Sequence, residues 1–560
     1  MMITGRSVTH TTHGIVVSPH YLATMAGVRV LMQGGSAVDA AIAANATLTV
    51  VLPNLCSLGG DLFMLIWSAR ERKLTALNGS GRAPQQMTPT LFAQRGLSSV
   101  PARGPLPITV PGVVDGWTEA IERYGHLSLA DVLTPAISYA EEGFPVSAHF
   151  LRSLAVALPE TGGLPGFSAK FLPNGRLPRT GEIWRQPDVA RSLKLIAQEG
   201  RDVFYRGDLG QRLVQGVQEA GGVLSMDDLR AHRSNWVEPL STSYRGYDIY
   251  EFPPNSQGIT VLMMLNILEG YDLRGWGYQS ADALHVLLEA KKLAFADRDR
   301  YLSDPDFVDI PVQELLDKDY AARQRQRIDL RRAAPIIDPG VPAAGDTVYL
   351  CVVDEEGNAV SLIQSLFFPF GSGIVAGDTG IVLQNRGHYF SLNPQSANYL
   401  QPGKRTLHTL APAMAFKDGR PWLVFGTVGG DAQPQIHAQV LTDIIDFDLN
   451  PQEAVEAPRW RSTPATDAQG YTYADVVFAT TRTGDATEGR TQGHIYEDVL
   501  FEAGFPEAAL AELAARGHAI TRGEPQMRAM GIAQVIQIDP ESGVLSGGAD
   551  PRADSLALGW

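Results

Sequence analysis

Thr347 stands at a border in the chain. Behind it, AAPIIDPGVPAAGD (333–346) holds three prolines and little to bury. Ahead of it, TVYLCVVDEEGNAVSLIQSL has the alternation and turn residues of a β-hairpin. A threonine hydroxyl is a poor nucleophile at neutral pH without a base, and mid-chain there is none beside it. Cutting the Asp346–Thr347 bond would give Thr347 a free α-amine with a pKa of about 8, able to accept the hydroxyl proton. Nucleophile and base would then share one residue, and a mobile connector over 333–346 would let the old chain end move away. The local residues also fit a plain loop-to-strand junction, with Asp346 as a turn former and Thr347 as a strand starter.

The hairpin itself sets a partner for Thr347. Gly357 can take the left-handed position of a three-residue loop. If Asp354 pairs with Asn358, pairing at constant index sum puts Thr347 opposite Ser365, to within about one residue. Two hydroxyls then meet at the open end of the hairpin.

The bulk numbers limit what else the chain can be. It has 560 residues, 44% hydrophobic and 19% charged, with a formal net charge of −15. That length exceeds one ordinary core, and the acidic balance argues against a nucleic-acid partner. The only two cysteines, Cys56 and Cys351, are not a disulfide framework, and no Cys/His spacing resembles a zinc site. His10 and His13 in HTTH could chelate weakly or simply be solvated. No secretory signal is visible at the start, and the most apolar run, AVDAAIAANATLTVVLP, is too short to span a membrane. The expectations are a cytoplasmic location, no membrane partner and no cofactor.

The elements that must position Thr347 can be read coarsely. SPHYLATMAGVRVLMQGG and SAVDAAIAANATLTVVLP read as two helices, with Gly34-Gly35 ending the first and Ser36 with Asp39 capping the second. DLFMLIW and KLTALNGS read as strands, as do the segments after Thr347, including GIVLQN and PAMAFKDGRPWLVFG. Residues 160–187 read as a Gly/Pro-rich surface excursion, and 465–495 as an insertion loop. The order of helices and strands fits a layered α+β protein.

Along almost its whole length the sequence resembles the γ-glutamyltranspeptidase family of N-terminal-nucleophile hydrolases. The pieces include QGGSAVDAAIAA, LGGDLFML, VPGVVDGW, PPNSQGITVLMMLNILE, AFADRDRYLSDPDFV, GDTVYLCVVDEEGNAVS, FGSGIVAGDTGIVLQN, PGKRTLHTLAP, GTVGGDAQPQ and DPRAD, in that order. The resemblance implies a four-layer αββα sandwich. It implies self-cleavage between Asp346 and Thr347 into a large subunit, 1–346, and a small subunit, 347–560. The processed pair would be the working enzyme and could pair again. Thr347 would form an acyl-enzyme that water or an amine resolves. Ser365 stands where the family has a hydroxyl bonded to the nucleophile. Gly429 and Gly430 match the pair whose N–H groups form the oxyanion hole, a task glycine suits because no side chain blocks the approach.

The substrate positions depart from the family pattern. The family's arginine stands four residues before a proline; here Ser80 occupies that place, and Arg82 is two before Pro84. Its asparagine is Phe367, its glutamine Arg386, its aspartate Tyr389, and its Ser-Ser pair His408 and Thr409. An α-ammonium group wants a carboxylate once desolvated, and Tyr389 carries no charge. Phe367 and Phe368 fill volume; Arg386 is a fork suited to a carboxylate. A surface ion pair for Arg386 and core packing for the aromatics are the other readings. The expected substrate is a small acidic amide, oxamate- or glutaryl-like, bound through Arg386 or Arg82. Two alternatives are a true γ-glutamyl hydrolase or transferase and an unprocessed, non-catalytic binding protein.

Overall fold

The computed structural model describes residues 4–334, 346–464 and 497–560. Most of the expected connector, 335–345, and the expected insertion, 465–495, lie outside them. The first connector residues are docked: the Ala333 N–H donates to the Arg516 carbonyl, and the Ala334 N–H donates to Glu289.

Among the described residues, two seven-stranded antiparallel sheets form the centre. In chain order their strands are β1 (Thr9–Thr11), β2 (Ile15–Ser18), β3 (Asp61–Ser68), β4 (Lys73–Gly79), β5 (Asn235–Val237), β6 (Leu240–Tyr244) and β7 (Tyr247–Glu251). Then come β8 (Asp346–Val353), β9 (Ala359–Phe367), β10 (Ala413–Lys417), β11 (Arg420–Thr427), β12 (Ala533–Ile538), β13 (Leu545–Ala549) and β14 (Leu556–Gly559). One sheet runs β14-β2-β8-β9-β3-β4-β5; the other runs β1-β13-β12-β11-β10-β7-β6.

Alternation along the strands sorts their side chains into layers. Val348, Leu350 and Val352 of β8 pack with helices α1 (Tyr21–Met32), α2 (Ala37–Val51) and α3 (Leu129–Glu142). Tyr349, Cys351 and Val353 face the other way, where they meet Phe63, Ile363, Met414 and Val424 between the sheets. Behind the second sheet, Ala415, Leu423 and Phe425 pack on α4 (Ile259–Leu268), α5 (Ala281–Tyr301) and α6 (Gln433–Ile445). The result is the αββα order. No helix among the described residues is long and apolar enough to cross a membrane.

Local signals fix the pieces that carry Thr347. Every residue of α2 is buried, and Ser36 and Asp39 form the capping box at its start. Asp39 Oδ2 also accepts the N–H groups of His126 and Leu127, while its Oδ1 is buried and meets no hydrogen-bond donor among the described residues. The β8–β9 loop closes with the Asp354 N–H on the Asn358 carbonyl at 3.1 Å, and Gly357 has φ +81. Asp354 Oδ2 accepts the Ala37 N–H at 2.8 Å, tying the hairpin to α2.

Two expectations are corrected. The 160–187 stretch contains a helix, Phe167–Phe171, whose two phenylalanines are fully buried against Phe150, Trp184 and Phe370. The aromatic side chains anchor a segment whose Gly and Pro content reads as a loop. GIVLQN forms single bridges, Val375 to Val382 and Gly59 to Leu383, in place of a strand.

The two sheets meet closely where Gly426 faces Tyr349: a Cβ at 426 would collide with the phenol ring. Gly426→Ala is expected to destabilise the protein by about 1–3 kcal/mol through overpacking, read as a lowered urea midpoint.

Candidate active site

Three buried polar residues lie in one row across the first sheet. Thr347 on β8 is directly opposite Ser365 on β9, which is directly opposite Asp61 on β3. Each lies an even number of positions from residues facing the inter-sheet core, so all three share that face. The register that the hairpin sequence implies is the one the structure has. A ladder irregularity falls between Asp346 and Thr347, with Asp346 opposite Phe367.

Thr347 Oγ1 donates to Ser365 Oγ at 3.2 Å, and that oxygen also accepts the Phe367 N–H at 2.7 Å. Phe367 has φ +78, a strained backbone for a bulky residue. Its ring lies under the Arg386 guanidinium, 4.2 Å from ring centre to Cζ. Phe368 and Tyr389 pack against the Phe367 ring.

Asp61 organises the next contacts. Its Oδ1 accepts the Gly81 N–H at 2.9 Å, and its Oδ2 lies 3.1 Å from His408 Nε2 and 3.5 Å from Arg386 Nε. His408 Nδ1 accepts the Leu410 N–H, so the ring proton sits on Nε2 and points at Asp61. Burial, and then Arg386, push the His408 pKa down to about 4, so the ring is neutral at pH 7. With His408 neutral, Arg386 is the cation at ion-pair distance from Asp61 among the described residues. Arg386 is 1% exposed, and burial draws its pKa down to about 10, which leaves it cationic. Its Nη1 donates to Thr409 Oγ1 at 3.0 Å; its Nη2 is buried and meets no acceptor among the described residues. A buried N–H of a cation without an acceptor is costly unless something else supplies one.

Gly429 and Gly430 follow β11 with φ +131 and +57, conformations that favour glycine. Neither N–H meets a backbone acceptor among the described residues. The next residue, Asp431, accepts the Tyr389 hydroxyl and Arg298 Nη1, both at 2.8 Å. Burial and the Asp431 charge hold the Tyr389 phenol well above its ordinary pKa. Arg82 stands apart from this cluster, spent on Asp304, Asp306 and the Gly403 carbonyl. Elsewhere His285, Glu289 and His518 bring metal-ligand atoms within 4.8 Å of one another. Those atoms are engaged: His285 Nδ1 lies 2.8 Å from His518 Nε2, and Glu289 holds Lys292 and the Ala334 N–H.

The sequence reading missed Asp61, Gln257, Arg298 and Asp431. Asp61 and Asp431 each follow a Gly-Gly pair, so a charged residue beside two flexible ones was the available signal.

Asp61→Asn removes the counter-charge of a buried guanidinium. It is expected to cost about 3–5 kcal/mol of stability, and clearly less in an Arg386→Met background. A double-mutant cycle on urea unfolding measures the difference.

The chain has clear relatives. Residues 23–560 match the Gamma-glutamyltranspeptidase family model. The chain is 44% identical over 549 residues to the "Glutathione hydrolase-like YwrD proenzyme" of Bacillus subtilis, covering 98% of each. It is 38% identical to the "Oxamate amidohydrolase proenzyme" of Klebsiella pneumoniae, covering 98% of this chain and 99% of the other. Among solved structures, the cephalosporin acylase from Bacillus halodurans superposes with a TM-score of 0.88 at 38% identity, covering 100% of this chain and 98% of that one. With the αββα layers and the Thr347 row in place, these matches show that the chain is an enzyme belonging to the γ-glutamyltranspeptidase family of N-terminal-nucleophile hydrolases.

Proposed function

We propose that the chain is cut between Asp346 and Thr347 and that the freed Thr347 hydrolyses a small amide whose acyl group ends in a carboxylate. The large subunit, 1–346, and the small subunit, 347–560, stay together through the shared sheet, since β8 and β9 sit between β2 and β3. The α-amine of Thr347 takes the proton from Oγ1, and Oγ1 attacks the amide carbonyl. Ser365 Oγ holds the hydroxyl in line. The N–H groups of Gly429 and Gly430 receive the developing oxyanion. The amine returns the proton to the leaving nitrogen, ammonia or an amine departs, and water resolves the acyl-enzyme by the same route.

The observation that carries the acidic substrate is Arg386: a fully buried cation whose Nε and Nη2 meet no hydrogen-bond acceptor among the described residues, stacked on Phe367 beside the Thr347 row. A substrate carboxylate completes its hydrogen bonding. His408 and Thr409 then act by holding Asp61 and Arg386 in place, and Tyr389 and Phe367 close the wall. One observation favours the γ-glutamyl alternative: Asp431, bonded to Tyr389, supplies a carboxylate near that wall. It is already paired with Arg298, which weakens its hold on an α-ammonium.

Ammonia release is measured over oxamate, malonamate, succinamate and glutaramate, and colour release from γ-glutamyl-p-nitroanilide. Turnover of one of the acidic amides is expected, with Arg386→Met lowering kcat/KM by roughly tenfold to a hundredfold, the worth of a charge-assisted bond. Preference for the γ-glutamyl anilide would establish the alternative. An active enzyme insensitive to Arg386→Met would remove the carboxylate anchor.

A further inference from the structure

Gln257 is 1% exposed and uses both ends of its side chain. Its Nε2 donates to the Gly430 carbonyl at 2.9 Å and to the Thr409 carbonyl at 2.8 Å. Its Oε1 accepts Arg298 Nη1 at 2.9 Å, and the same Nη1 donates to Asp431 Oδ1 at 2.8 Å. Its backbone N–H donates to the His408 carbonyl at 2.9 Å. One amide thus joins the glycine loop to the segment whose Thr409 hydroxyl holds Arg386. Arg298 fixes which end of that amide is the oxygen, since a guanidinium can only donate.

The geometry matters because Gly429 and Gly430 have positive φ and no side chains to hold them. A glycine loop left alone samples several peptide orientations. Preorganised donors stabilise an oxyanion only if they already point at it. Gripping the Gly430 carbonyl fixes the plane of the peptide that follows it and the direction of the loop that precedes it.

We propose that Gln257 is a positioning residue: it sets the glycine loop relative to the Arg386 anchor, so that the oxyanion donors and the carboxylate site stay at one separation. The proposal rests on the nucleophile and oxyanion roles given above for Thr347, Gly429 and Gly430. It touches no substrate atom and acts through Gly430 and Thr409.

The test uses the full-length protein and its self-cleaved form, with Gln257→Met and Gln257→Glu. Both keep the side-chain volume and lose the two donors. Gln257→Asn, one methylene shorter, keeps the polarity and loses reach. The first readout is acylation of Thr347 by p-nitrophenyl acetate, followed by mass, with Thr347→Ala as the blank. This neutral ester needs the oxyanion donors and makes no use of Arg386. The second is kcat/KM over the four acidic amides, normalised to folded protein by the thermal melt.

The expected result is acylation at least tenfold slower in Gln257→Met and Gln257→Glu at near-wild-type melting temperature. Gln257→Asn should fall between, and the preference among chain lengths should flatten. Unchanged acylation and an unchanged chain-length profile would overturn the proposal. Loss of folding in all three variants would assign Gln257 to the core and overturn it too. If wild-type Thr347 is not acylated, the underlying nucleophile reading fails; if it is acylated while the variants match it, only the Gln257 proposal fails.

Discussion

A slip of one residue in the β8–β9 pairing would turn Thr347 or Ser365 to the helix side of the sheet. The whole site depends on that register. It is held at the loop by Gly357, at φ +81, and by Asp354, which caps Asn358 and reaches across to α2. It is held along the strands by alternate residues packed into two different cores. Pairing of Ser365 with Asp61 then carries the row to a third strand, so hydroxyl, hydroxyl and carboxylate lie side by side.

Charge is the second constraint. Arg386 and Arg298 are both nearly inaccessible, and each lies within ion-pair distance of a carboxylate that follows a Gly-Gly pair. Arg386 faces Asp61 with two nitrogens, Nε and Nη2, that meet no hydrogen-bond acceptor among the described residues, whereas Arg298 joins Asp431 to Gln257. His408 adds no charge, because burial keeps it neutral. The site therefore has an electrostatic direction: backbone donors at one end, a cation at the other, and Gln257 between the segments that carry them.

Much of this was legible in the sequence because it rests on local rules. The hairpin register follows from one turn and a period of two. The buried α2 follows from an apolar run behind a Ser-Asp cap, and the αββα order from the family resemblance. What was not legible depends on tertiary contact. Arg82 and Arg386 look alike in sequence, yet the fold gives Arg82 to Asp304 and Asp306 and seals Arg386 against Phe367. Gln257 lies 173 positions before Gly430, and no periodicity links them. The helix at Phe167–Phe171 was hidden because glycines and prolines around it outweigh two aromatic anchors whose partners are distant in the chain.

The central claim is that Thr347 becomes the N-terminus of a chain and then carries the acyl group. Intact mass of purified wild type and Thr347→Ala, before and after an activated ester, tests both parts at once. The account requires two wild-type chains, the smaller beginning at Thr347 and gaining one acyl group, and a single unreactive chain for the variant. An active wild type that remains one uncut chain, or an acyl group found elsewhere, would contradict it.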